Sequence, residues 1–242
     1  VIAIPPGKDI DLEMYFGECC EEGSRFKLEL FEYSSKDNYS KSYENFLNVE
    51  NIDQPFSLSE IIPNFKFLDL GGWVTFEALD GKHDKKFINN IYKSRKGKNV
   101  FDGVHSHNFS KGYEKYGSRT LKFSPFLISK DTALNEKVES WVAIFGSDSK
   151  KIDARIRLYD QIDNGFEKIE LITIKPNQVK IFNLDDIRNE KNDNKSKSAK
   201  KINQYGICQI ETESINLNCN LYIVKKKKNS ILSIGVDHFT GG

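Results

Sequence analysis

The chain has 242 residues, with 36 Lys and Arg against 35 Asp and Glu and a formal net charge of +1. That length suits one large or two small domains of roughly 100–200 residues each. The balanced charge excludes a global field toward nucleic acid or a membrane surface, and no window approaches the ~18–20 apolar residues of a membrane-spanning helix.

The first element signal is "LEMYFG" (Leu12–Gly17), followed by "FKLELFEY", in which Phe26, Leu28 and Leu30 share one face and Lys27 and Glu29 the other. A period of two is the signature of a half-buried strand. "FSLSEI" predicts a strand end running into a single helical turn, and "GWVTFE" and "NIYKSRKGKN" read as further strands and a turn. "GVHSHNFSKG" (Gly103–Gly112) closes this half, and the stretch Ser110–Arg119 reads as a connector.

Downstream the same kinds of segment return in the same order. "WVAIFG" answers "LEMYFG", "ARIRLYD" answers "FKLELFE", and "FNLDDI" answers "FSLSEI". "GICQIE" answers "GWVTFE", "NLYIVKKKKN" answers "NIYKSRKGKN", and Gly235-Val236 answers Gly103-Val104. The spacing drifts only in loops, where length changes are tolerated. The expectation is therefore an all-β chain of two tandem immunoglobulin-like antiparallel β-sandwiches arising from an internal repeat. One repeat spans 1–112, a linker 113–121, and the second repeat 122–242. The polar run 188–203 reads as a loop, and the Lys- and Asn-rich usage reflects an AT-rich genome rather than a function.

Several constellations bear on chemistry. Clustered lysines stand between the last two strands of both halves: Lys93, Arg95, Lys96 and Lys98 in the first, Lys225 and Lys226 in the second. Such runs solvate a hairpin and discourage edge aggregation, or they form an anion-binding patch. Tyr39 and Tyr43 read as loop residues whose rings can stack on a sugar or anchor a protein partner. On an extended strand His105 and His107 share a face and could hold a divalent metal, with Asp102, His83 or Glu114 completing the set. A cupin-type metal strand needs a glutamate nearer to His107 than Glu114 and a second histidine box, which the chain lacks. In the second half Asp237 and His238 are adjacent, so on a strand they point to opposite faces and cannot form a triad pair. No nucleophile elbow, phosphate loop or dinucleotide fingerprint is present.

The four cysteines include no C-x-x-C pair, which disfavours structural zinc. Cys208 and Cys219 read as buried thiols, or as a cross-strand disulfide in an oxidising compartment. No signal peptide is visible, and the compartment is not legible. The function expected from the sequence is non-catalytic binding of a glycan or a protein, the latter including a second copy of the chain. Neither a nucleic-acid partner nor a resident cofactor is expected. The competing expectation is a metal-dependent enzyme built around Asp102, His105 and His107.

Overall fold

The computed structural model describes residues 1–7, 10–16, 20–50, 54–62, 69–80, 88–94, 100–105, 120–147, 149–160, 166–189, 201–213, 217–228 and 230–241. The chain divides into two compact units, Val1–Asn108 and Phe109–Gly242. Both are built almost wholly from antiparallel strands. Among the described residues no helix is long and apolar enough to cross a membrane.

The first unit contains β1 (Ile2–Ile4), β2 (Ile10–Tyr15), β3 (Arg25–Tyr33), β4 (Tyr39–Asn48), β5 (Phe56–Ser57), α1 (Leu58–Ile61), β6 (Gly72–Ala78), β7 (Asn89–Ser94) and β8 (Val100–His105). They form two four-stranded sheets, ordered β1-β6-β3-β4 and β5-β2-β7-β8. The alternation seen in "FKLELFEY" sets the faces. Phe26, Leu28 and Leu30 are buried, while Lys27 and Glu29 point outward into an ion network with Lys41 and Glu44. Phe16 joins the two sheets, with its ring 5.0 Å from Phe26 and 5.9 Å from Phe76 on one side and 4.8 Å from Phe56 on the other. Tyr92 of β7 is fully buried, and its hydroxyl donates to the Ala3 carbonyl of β1 at 2.5 Å.

The expected helical turn after "FS" is α1. The Ser57 N–H donates to the Glu60 carboxylate, as in a capping box. The buried Asp11 carboxylate of β2 accepts from the Ser59 hydroxyl at 2.6 Å, which fixes the turn to the sheet.

The second unit contains β9 (Thr120–Asp131), β10 (Glu136–Phe145), β11 (Ile152–Asp160), β12 (Phe166–Ile174), β13 (Val179–Asn183), α2 (Leu184–Asn189), β14 (Lys201–Thr212), β15 (Asn218–Lys227), β16 (Ser230–His238) and β17 (Thr240–Gly241). One nine-stranded sheet runs β12-β11-β14-β9-β10-β15-β16, with β13 beside β10 and β17 beside β9. The sheet curls on itself as a half-barrel. Ile156 of β11 and Ile210 of β14 share one core cluster with Val142 and Ile144 of β10 and Leu221 of β15. Gly206 permits the close approach of β11, because a Cβ there would collide with the Tyr159 carbonyl.

The all-β class and the antiparallel strands match the sequence expectation. The strand order does not follow an immunoglobulin domain, whose sheets run A-B-E-D and C-F-G. Here the first unit runs 1-6-3-4 and 5-2-7-8. Alternation within a strand fixes its faces, but the partner across the sheet depends on chain closure that alternation does not encode.

Candidate functional site

Three lysines of the second unit's hairpin, Lys225, Lys226 and Lys227, pair with two carboxylates of their own sheet. Lys226 of β15 lies opposite Lys137 of β10, and its ammonium reaches the Glu139 carboxylate at 2.6 Å. Lys137 also pairs with Glu139, and the Trp141 indole N–H donates to it at 3.0 Å. Lys226 stands 5.8 Å from the Trp141 ring centroid. The Glu139 and Lys226 side chains are only 12% and 14% exposed. Burial pushes the Glu139 carboxyl up, but the hydrogen bonds from Lys137 and Lys226 and the Lys226 charge outweigh it and hold the group below the ordinary carboxylate range. Lys227 and Lys225 reach Glu136 at 3.1 and 3.7 Å.

At the tip, Lys228 adopts a left-handed backbone, with φ of 55°, and its N–H donates to the Asn135 carbonyl of the neighbouring hairpin at 2.8 Å. Lys93 of the first unit likewise pairs with Glu13, which also accepts from the Tyr15 hydroxyl. Carboxylates of the same unit therefore offset part of the charge of each described lysine cluster, which lowers its pull on an external anion. Arg95, Lys96 and Lys98 lie outside the described residues.

The two tyrosines are held by the fold. Tyr43 donates to the Ile61 carbonyl at 2.9 Å and so fastens β4 to α1. Tyr39 packs edge-on to the buried Trp73 at 4.8 Å, in a cluster with Phe31 and Tyr33. Of the metal candidates, Asp102 accepts from the Gly103 N–H, and His105 ends β8 opposite Asn89. His107, His83 and Glu114 lie outside the described residues. Among the described residues no group of three metal-ligating side chains assembles.

Asp237 and His238 take separate partners, as adjacency on a strand requires. Ser124 Oγ stands 3.4 Å from Asp237, while His238 Nδ1 lies 2.9 Å from the Asn220 side-chain oxygen. Cys208 and Cys219 are free thiols, both buried. Burial pushes both thiols well up, with the neighbouring Cys219 adding to the effect at Cys208.

The open surface lies elsewhere. Along β12, Leu171 is 73% exposed and Ile169 49%. Tyr205 and Ile207 of β14 and Leu127 of β9 are exposed on the same outward face. Between them runs a polar ladder. Leu171 sits opposite Arg155 and Arg155 opposite Glu211; Ile169 sits opposite Arg157 and Arg157 opposite Gln209. Arg157 and Arg155 reach Glu211 at 3.4 and 3.6 Å, and the Tyr159 hydroxyl donates to Gln209 at 2.8 Å. The signal for this face was present in "IELITI", where Ile169 and Leu171 alternate with the inward Ile172 and Ile174 out of phase. The residue spacing alone does not say that β12 ends its sheet.

No family model, curated protein or solved structure matches this chain.

Proposed function

We propose that the chain is a non-catalytic interaction module whose partner is a protein, docked at the outward face of β12, β11, β14 and β9. The supporting observation is the gathering of Leu127, Ile169, Leu171, Tyr205 and Ile207, all exposed, on one four-stranded surface. Exposed apolar and aromatic side chains set among arginines and other hydrogen-bonding groups suit a protein contact. Lys93, Lys225, Lys226, Lys227 and Tyr43 already engage groups of the fold, which favours this face over them as the contact surface.

The test is a photo-crosslinking amino acid placed at Leu171 or Tyr205, with Phe46 on β4, also exposed, as the control position. Adducts from the first two positions and not from Phe46 are expected. No adduct, or equal adduct at Phe46, would remove the face from this role. Salt-insensitive binding on a glycan array, abolished by Tyr205→Ala, would replace the protein partner with a sugar.

We further infer that the two units are copies of one ancestral unit. Two parallels support it. The order β1-β6-β3-β4 recurs as β9-β14-β11-β12, and β5-β2-β7-β8 recurs as β13-β10-β15-β16. The pair Leu28 with Phe76 is matched by Ile156 with Ile210, at the positions the sequence segments align. Equivalence of Gly72 and Gly206 follows from the same alignment. Gly72→Ala is then expected to destabilise the chain about as much as Gly206→Ala, and a neutral Gly72→Ala would count against duplication.

A further inference from the structure

We infer that the end of the second unit where the β9–β10 and β15–β16 hairpins turn docks on an anionic lipid surface. Leu134 enters the interface and the lysines around it meet the headgroups. Two independent observations carry this, one of charge and one of apolar exposure.

The charges of the chain balance as a whole, but not at this end. Cross-strand register gathers Lys130 and Asp131 of β9, Glu136, Lys137 and Glu139 of β10, and Lys225, Lys226 and Lys227 of β15. Lys228 follows at the second turn. Six lysines thus stand against three carboxylates. Glu139 takes up Lys137 and Lys226, and Lys225 and Lys227 share Glu136. Asp131 accepts instead from the Ala133 and Leu134 N–H groups. Lys201 of β14 stands opposite Asp131 and adds a further positive residue. Lys130, Lys137, Lys225, Lys227 and Lys228 are exposed. Each lysine held within a Debye length of an anionic bilayer adds to the attraction.

The turn 132–135 between β9 and β10 carries no charge, and its Leu134 is 56% exposed. A turn tip is ordinarily polar. The two bonds to Asp131 fix the backbone at Leu134. The Lys228 N–H donates to the Asn135 carbonyl at 2.8 Å, which locks the lysine-bearing turn beside the leucine. An apolar side chain among lysines suits the bilayer interface, where the apolar group enters the acyl boundary and the ammoniums stay with the headgroups. A soluble polyanion would use the lysines but gain little from Leu134. The docking needs none of Leu127, Ile169, Leu171, Tyr205 or Ile207, so it stands or falls apart from the protein contact proposed above.

The experiment is co-sedimentation of the purified full chain with vesicles. One set is phosphatidylcholine alone, and the other is phosphatidylcholine and phosphatidylserine at about 3:1, an anionic surface of the cytoplasmic-leaflet kind. The wild type is expected to pellet with the second set and not with the first. Leu134→Ser should bind about fivefold more weakly, part of the gain from burying one leucine. Lys227→Gln/Lys228→Gln should bind roughly 30-fold more weakly, a factor of about five for each lysine. Both variants should melt like the wild type, and Leu171→Ser should bind like it.

A wild type that stays in the supernatant with phosphatidylserine vesicles, or pellets equally with phosphatidylcholine alone, overturns the docking. Binding unchanged in Leu134→Ser also overturns it, and displacement of that binding by soluble heparin would identify a soluble polyanion as the ligand instead. Binding lost in Leu171→Ser would move the contact to β12 and overturn the role of the hairpin tips.

Discussion

Glu139, which the sequence did not single out, engages Lys226, which it did. Its carboxylate satisfies Lys226, Lys137 and the Trp141 indole in a mostly buried setting. Removing one partner of a buried ion pair leaves the other charge stranded, so Glu139→Ala should cost about 3 kcal/mol of stability in chemical denaturation. The double variant Glu139→Ala/Lys226→Met should recover part of that loss. The same carboxyl links stability to pH. Its folded pKa lies below the ordinary value of 4.5. Its contribution is therefore complete above that value and is lost as pH falls through the lowered folded pKa. Melting temperature followed below pH 4.5 should drop less steeply in Glu139→Gln than in the wild type. Tyr43→Phe should lose about 1 kcal/mol, the worth of one hydrogen bond to Ile61. Cys208 and Cys219, with raised thiol pKa values, should resist iodoacetamide at neutral pH in the native chain and react fully in denaturant.

At the scale of elements, strands and short helices were legible and their partners were not. "FKLELFEY" and "ARIRLYD" became β3 and β11 with the faces their alternation dictates. "SLSEII" and "NLDDIR" became the turns α1 and α2. Lys93 lies on β7 and Lys225, Lys226 and Lys227 on β15, but their carboxylates sit on β2 and β10, distant in sequence and brought close only by cross-strand register. Tyr39 and Tyr43 were expected on loops and lie instead on strand β4, while Trp73 and Ile61, which hold them, belong to other elements. The openness of β12 was illegible for the same reason, since an edge is defined by the absence of a neighbour. Gly206 is where the sheet geometry is least forgiving. A side chain there meets the Tyr159 backbone, so Gly206→Ala should rank among the more damaging single substitutions, about 3 kcal/mol or more in urea unfolding. Gly23, with φ of 80° and open space around it, should lose only the smaller backbone strain on the same change.

At the scale of the whole molecule, the edges of its sheets decide what it meets. β1 and β5 are short and the pairings of β4, β8 and β16 carry bulges, whereas β12 keeps an unbroken nine-residue register with β11. A protein docked over β12 would cover its exposed Ile169 and Leu171, a liability in an isolated chain. It would also protect backbone amides of β12 that no described strand reaches. Photo-crosslinking from Leu171, with Phe46 as the control position, tests the docking most directly. Adducts at Leu171 that are absent at Phe46 are expected. No adduct at Leu171, or equal adduct at Phe46, would contradict docking at the β12 face.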